Sequence, residues 1–377
     1  VQFNQIIGQQ AIKNRFVQTI HQQRLPHAQL FYEHEGSGGL ALALAYAQFV
    51  NCLSPESNDS CGQCSACHKI NKLIHPDIHF AVPTASDGKR DKLARTNDYI
   101  EIWRQSFLRN PYLTLTDWFA DLNFETNKQL FLSVEESADI IRKLSYKNYE
   151  AKYKFCIIWC PEKWHSNAAN ALLKLIEEPP PATIFILVTE HYDQILPTII
   201  SRTQLVKIPR ISMHDLSLEL NKAHVPADKH ASMLHLSNGS YRQLQALIND
   251  TSNDAYETDF LAWMRLCFNP IKSYAALLGW IENFSKKKRE QQKHFFAFCT
   301  ETCRECLLIN YADAQMVRFT DDQFKGLSLF APYINQNNAE GFTQVFNDAA
   351  YHIDRNANAK IMLLDLSFKI AKLMKIK

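Results

Sequence analysis

The chain has 377 residues, 46% of them hydrophobic and 21% charged, which at roughly 150 residues per domain makes about two to three globular domains and excludes a single small module. Its 41 Lys and Arg against 39 Asp and Glu leave a formal net charge of +2, too little for nucleic-acid affinity by charge alone, so any DNA contact is expected to be local or made through partners. No apolar run approaches the ~20 residues that cross a bilayer, and residues 1–10 lack a basic start followed by an apolar stretch; no membrane contact and a cytoplasmic location are expected.

The first half alternates helix and strand signals, as a wound α/β domain requires. Ile12, Phe16, Val17 and Ile20 have helical spacing within residues 9–23, and Leu25-Pro26 ends that helix before the short apolar run Gln29-Leu30-Phe31-Tyr32. Glycine is scarce, at 10 residues, yet Gly36, Gly38 and Gly39 fall together between this strand and an alanine-rich helix over Ala41 to Val50. Residues 84–126 begin with a polar stretch at 86–91 but continue with Trp103, Phe107, Tyr112, Leu115, Trp118 and Phe119, too aromatic for disorder. They read as an insertion packed on the domain. The runs Cys156 to Cys160 and Thr183 to Val188 have the composition of strands buried on both faces of a parallel sheet. Between them lies a helix with Ser166 as candidate N-cap, an apolar face of Ala168, Leu172, Leu175 and Ile176, and a stop at Pro179-Pro180-Pro181. A last strand, Gln204 to Ile208, ends at Pro209, after which the pattern is helical. That helical part divides into a short unit with a turn at Asn238-Gly239, a polar gap at 250–254, and a larger bundle ending in a helix over Ala359 to Leu373.

A working phosphate loop, G-x-x-x-x-G-K-[ST], cradles phosphates with backbone N–H groups, neutralises them with lysine and holds Mg²⁺ with a hydroxyl. Laid on that pattern, Glu33-His34-Glu35-Gly36-Ser37-Gly38-Gly39-Leu40 puts Gly39 at the lysine and Leu40 at the hydroxyl, and adds two carboxylates that repel a triphosphate. The strand that should end in acidic residues ends instead in Trp159 and Cys160, with Glu162 beyond it. No ATP binding is expected. Cys52, Cys61, Cys64 and Cys67 have the spacing of a tetrahedral thiolate site for structural Zn²⁺, with His68 as an alternative to one thiol. Cys299, Cys303 and Cys306 share one helix face and read as small core residues. Lys286-Lys287-Lys288-Arg289 reads as a solvated face, with contact to DNA or a partner as the alternative.

With these residues in view, the chain resembles the delta-prime family of bacterial DNA polymerase III clamp-loader subunits. Phe3-Asn4-Gln5-Ile6-Ile7-Gly8-Gln9 is similar to the family's opening motif, and Leu25-Pro26-His27-Ala28 to its approach to the phosphate loop. Most specific is Asn170-Ala171-Leu172-Leu173-Lys174-Leu175-Ile176-Glu177-Glu178-Pro179-Pro180. The resemblance implies an AAA+ protein: a RecA-like P-loop NTPase domain over 1–208 carrying a zinc module at 52–67 and the insertion at 84–126, a helical lid over 209–252 and a helical collar over 253–377. The insertion itself is similar to one in Bacteroidetes-type sequences. Ser201-Arg202-Thr203 resembles the family's Ser-Arg-Cys motif, with threonine for cysteine, which implies that Arg202 is an arginine finger serving a neighbouring subunit's ATP. Thr189 and Arg242 match nucleotide-sensor positions, here without a nucleotide to sense. Implied partners are gamma/tau and delta subunits and, indirectly, the sliding clamp and primed DNA, with no catalysis by this chain. The residues leave two other functions open: an active ATPase in which Lys163 or Lys174 reaches the phosphates, and a zinc-ribbon nucleic-acid-binding adaptor.

Overall fold

A computed structural model of the protein describes residues 1–85, 95–123, 130–164, 166–249, 253–287, 289–311, 330–354 and 357–376. The polar start of the insertion at 86–91, the gap at 250–252 and Lys288 lie outside the described residues. The chain divides into two compact units, Val1–Leu216 with Gly239–Gln243, and Ser217–Asn238 with Leu244–Lys377.

The first unit is built on a five-stranded, all-parallel sheet of Ala28–Glu33 (β1), Ile78–Ala81 (β2), Lys154–Trp159 (β3), Thr183–Thr189 (β4) and Gln204–Ile208 (β5), in the order β2-β3-β4-β1-β5. Alternate residues feed two cores. Phe31, Phe155, Ile157, Trp159, Ile184, Ile186 and Val188 face one, while Leu30, Cys156, Ile158, Phe185 and Leu187 face the other with Ile140, Leu144, Leu172 and Ile176 of the covering helices. Burial on both faces is why these strands are continuous apolar runs. This parallel sheet with helices on both faces, followed among the described residues by a helical C-terminal part, fits the α/β fold expected from the sequence. Strand β2 is absent from the sequence reading, because its four residues Ile78-His79-Phe80-Ala81 are too few to show a period. Helix Val134–Ser145 is also absent from it; Glu136, Ser137 and Asp139 are buried there beside Ile140 and Leu144.

Helix Gly39–Val50 has no exposed residue. The described part of the insertion forms helices Ile100–Arg109 and Leu115–Asp121. Trp103, Phe107 and Trp118 join the same core as the helix, and the Trp103 ring lies 5.6 Å from Trp159, 5.5 Å from Trp118 and 6.0 Å from Phe80.

Among the described residues the second unit is helical. Its core centres on Trp263, stacked on Trp280 at 5.1 Å and donating its indole N–H to Ser367 Oγ at 2.9 Å. Cys299, Cys303 and Cys306 are buried in that core beside Phe295 and Phe296, as their helical spacing implies. Lys287 pairs with Asp259 at 2.5 Å and lies over the Phe284 ring. No helix among the described residues is long and apolar enough to cross a membrane.

Trp103→Ala should leave a cavity under the insertion and lower stability by roughly 3–5 kcal/mol, read as an earlier urea midpoint with the unfolding slope unchanged.

Candidate functional site

The glycine loop lies where a phosphate loop should, between the C-terminal end of β1 and the N-terminus of helix Gly39–Val50. Four helix-end N–H groups and the helix dipole ordinarily make such a place attractive to an anion. Here the chain supplies the acceptor itself. Glu33, the last residue of β1, is buried and turns its carboxylate back into the loop, accepting from the Gly39 N–H at 2.6 Å and also from the Gly38 N–H. A side chain at Gly39 would collide with it, since a Cβ there would stand 2.6 Å from Glu33 Oε1. The absence of lysine at this position and the inward turn of Glu33 are thus one arrangement. Gly38 has φ +91°, a left-handed conformation that glycine adopts without strain.

Three more carboxylates face this end of the sheet. Glu35 is in the loop, Glu162 follows β3 and Glu190 follows β4. Burial pushes Glu33 up to about 7, against the pull of the Gly39 and Gly38 amides, and Glu35 adds to the rise. Burial followed by the charges of Glu33, Glu35 and Glu162 raises Glu190 to about 9. The Gly39 and Gly38 amides that would meet a phosphate oxygen thus already donate to Glu33, which uses up part of what the helix end offers an anion.

The sensor-like residues are engaged within the protein. Thr189 Oγ1 donates to Glu162 at 2.8 Å and accepts from the His191 N–H at 3.0 Å. Arg242 forms a two-point pair with Asp117 of the insertion, Nε to Oδ2 at 2.7 Å and a terminal nitrogen to Oδ1 at 2.5 Å. Arg202 lies in the turn between helix Pro197–Ile200 and β5, half-exposed, with Nε donating to Glu177 at 2.8 Å and a terminal nitrogen to the Thr198 carbonyl at 3.0 Å. Lys174 is exposed on helix Ser166–Glu177, and Lys163 follows β3, half-buried.

The four cysteines converge. Cys52 Sγ lies 3.4 Å from Cys61, 3.6 Å from Cys67 and 4.0 Å from Cys64, with Cys61 to Cys67 also 4.0 Å. These spacings are too long for disulfides, which need ~2.05 Å, and bracket the ~3.8 Å edge of a tetrahedron with ~2.3 Å metal–sulfur bonds. The backbone N–H groups of Cys61, Cys64 and Cys67 point at neighbouring sulfurs, which favours thiolates. The group can hold a metal ion, and its four thiols leave no position open for water. His68 is exposed and stands outside the group. Asp59 fastens the module, accepting from the N–H groups of Phe3 and Asn4. His235, Glu301 and Glu305 also gather in the second unit, but there Arg304 already supplies the cation, 2.7 Å from Glu301 and 3.3 Å from His235.

Glu190 and the Asp117–Arg242 pair escape the sequence reading. Glu190 acquires its neighbours only when β4 pairs beside β1, whereas Thr114-Leu115-Thr116-Asp117 carries a local signal, the capping box that the structure forms.

Because the folded protein holds Glu33 protonated up to about 7 and the unfolded chain loses that proton near 4.5, its contribution to stability falls as pH rises between those values. Glu33→Gln should therefore gain on the wild type across this window, by on the order of 2–3 kcal/mol, with the difference level above about pH 8. Urea unfolding at a series of pH values measures it.

The sequence profile of the family described as "DNA polymerase III, delta subunit" matches residues 8–212. The protein named DNA polymerase III subunit delta' of Bacillus subtilis (strain 168) is 30% identical over 186 residues, covering 49% of this chain and 43% of that one. Subunit delta' of Pseudomonas aeruginosa is 25% identical over 223 residues, 59% of this chain and 55% of its own. DNA polymerase III subunit gamma/tau of Mycoplasma pneumoniae is 26% identical over 257 residues, 67% and 31%. The chain thus spans from about a third to little over half the length of these relatives. With just over half of its residues inside the profile, the chain belongs to the DNA polymerase III delta subunit family.

Proposed function

We propose that this chain is a delta-prime-type, non-hydrolysing subunit of the DNA polymerase III clamp loader, acting in the cytoplasm. In this reading residues 1–208 form the RecA-like domain, 209–252 the lid and 253–377 a collar that joins gamma/tau and delta subunits, while the sliding clamp and primed DNA are reached through the assembly. The observation that carries it is the phosphate loop: the amides of Gly38 and Gly39 hold Glu33, and neither lysine nor hydroxyl stands at the positions that need them. The named delta' relatives support the same reading.

Arg202 is then the residue through which a silent subunit affects chemistry. A planar guanidinium with a permanent charge stabilises charge developing on a γ-phosphate, and supplied in trans such a group contributes ~10³–10⁵ in rate. Arg202 is half-exposed in a turn and held by exposed partners, the Glu177 carboxylate and the Thr198 carbonyl, so little opposes its transfer to a neighbouring subunit's phosphate. The thiol group Cys52, Cys61, Cys64 and Cys67 is assigned to structural Zn²⁺, which when bound would tie the 52–67 loop against helix Gly39–Val50.

Arg202→Ala in a reconstituted loader should leave assembly intact and lower DNA-stimulated ATP turnover at the adjacent site by about 10³, and Arg202→Lys should not restore it. Unchanged turnover would remove the finger from the proposal. A second reading, an active ATPase subunit, is favoured by the match to a gamma/tau-named relative; tight binding of fluorescent MgATP by the purified chain would establish it.

The purified wild type should carry one zinc per chain. Cys64→Ser should lose it and melt earlier, and a metal-free wild type of equal melting temperature would count against the structural role.

A further inference from the structure

The part of the insertion between its two described helices reaches the phosphate loop. Asn110 turns the chain by accepting from the Tyr112 N–H at 3.0 Å, and Tyr112 is buried, its hydroxyl accepting from the Ile7 N–H at 2.8 Å. The edge of that ring lies over Gly38 so closely that a Cβ there would be 2.7 Å from Tyr112 Cε1, and the ring also packs edge-on against Tyr241 at 4.9 Å. Five residues on, Asp117 accepts from the Thr114 N–H at 2.9 Å, closing the capping box of helix Leu115–Asp121, and takes both bonds from Arg242. Burial acts to raise the Asp117 carboxyl, but the Arg242 bonds and charge and the Thr114 bonds outweigh it and hold it below the usual carboxylate range. The segment carrying Arg242 is joined to the loop itself, since the Tyr241 N–H donates to the Gly36 carbonyl at 3.1 Å.

These contacts lie within the first unit and have a common character. Four donors around the loop are met by acceptors from the chain: Ile7 N–H by Tyr112, Ser37 N–H by the His34 carbonyl, Gly39 N–H by Glu33 and the Arg242 guanidinium by Asp117. Hydrogen-bond donors lined up around a glycine loop ordinarily wait for phosphoryl oxygens. The insertion is rigid enough to replace a ligand, since Trp103 and Trp118 anchor it in the core and the Trp118 indole N–H donates to the Pro83 carbonyl at 2.7 Å.

The geometry points to a built-in ligand: segment 110–121, through Tyr112 and Asp117, closes the phosphate-loop cleft and fastens residues 239–243 to it, so that this region holds one arrangement without nucleotide. This goes beyond the lost lysine and hydroxyl, and it stands whether or not the chain joins a clamp loader, because it concerns contacts inside one chain.

Amide hydrogen exchange on the full-length protein tests it, comparing the wild type with Asp117→Asn, Arg242→Met and Tyr112→Phe, and with Arg109→Ala as a control that removes an exposed ion pair to Asp121. The expected result is exchange faster by roughly tenfold or more at 239–243 in Asp117→Asn and Arg242→Met, and at Ile7 in Tyr112→Phe, while β4 amides and the control keep wild-type protection. Arg242→Met leaves the Asp117 capping box in place, so a matching effect in both variants separates the cross-link from helix capping. Wild-type protection at 239–243 in a folded Arg242→Met protein, or loosening in Asp117→Asn alone, would overturn the proposal.

Discussion

A parallel sheet that buries both of its faces must be covered on both, and most of the first unit follows from that requirement. β1, β3 and β4 alternate their residues between two cores, so helices are needed on either side. On one side the cover is helix Gly39–Val50, whose sequence is apolar around its whole circumference. A helix of that kind cannot stand at a surface. It needs further cover, which helix Ser65–Asn71 and residues 3–5 supply, while Trp103, Phe107 and Trp118 of the insertion extend the same core over β2 and the end of β3. The insertion is therefore part of the core, and its polar turn comes to lie beside the phosphate loop as a result of that packing.

The same sheet sets the electrostatics. The C-terminal ends of parallel strands are where such folds gather their ligands, and in this chain they gather Glu33, Glu35, Glu162 and Glu190. Burial in the first place, and neighbouring carboxylates in the second, make Glu33 and Glu190 keep their protons to unusually high pH. The edge has the shape of a nucleotide-binding architecture: a strand, a glycine turn, a helix start, and a polar residue at the end of β4.

Much of the strand order of events was readable in the residues, because doubly buried strands leave continuous apolar runs and because glycine is rare enough to mark its loop. The four thiols were legible from spacing alone, since ligands within one short loop need no tertiary information. Strand β2 was hidden by its brevity. The occupied state of the cleft was harder still. Glu33 could be read as a carboxylate in the loop, but its inward turn depends on the missing side chain of Gly39, and the Asp117–Arg242 pair joins positions 125 residues apart. Local pattern says which residues can cap, bond or charge a site; only the packed chain says with whom.

The division into units is discontinuous, and that affects the order in which the molecule can be made. Residues 239–243 belong with the sheet although the stretch before them, Ser217–Asn238, belongs with the helices. A chain emerging from the ribosome N-terminus first has every strand of the sheet by Ile208, with Asp117 and Tyr112 already in place, yet Arg242 and Tyr241 arrive only after the intervening helix Ala227–Ser237 has been synthesised. The nascent sheet therefore passes through an interval in which Asp117 is without its arginine and the Gly36 carbonyl without its amide. Closing the cleft is a late step of biosynthesis, and the loop's own carboxylate, which precedes it in the chain, is what guards the helix amides during that interval.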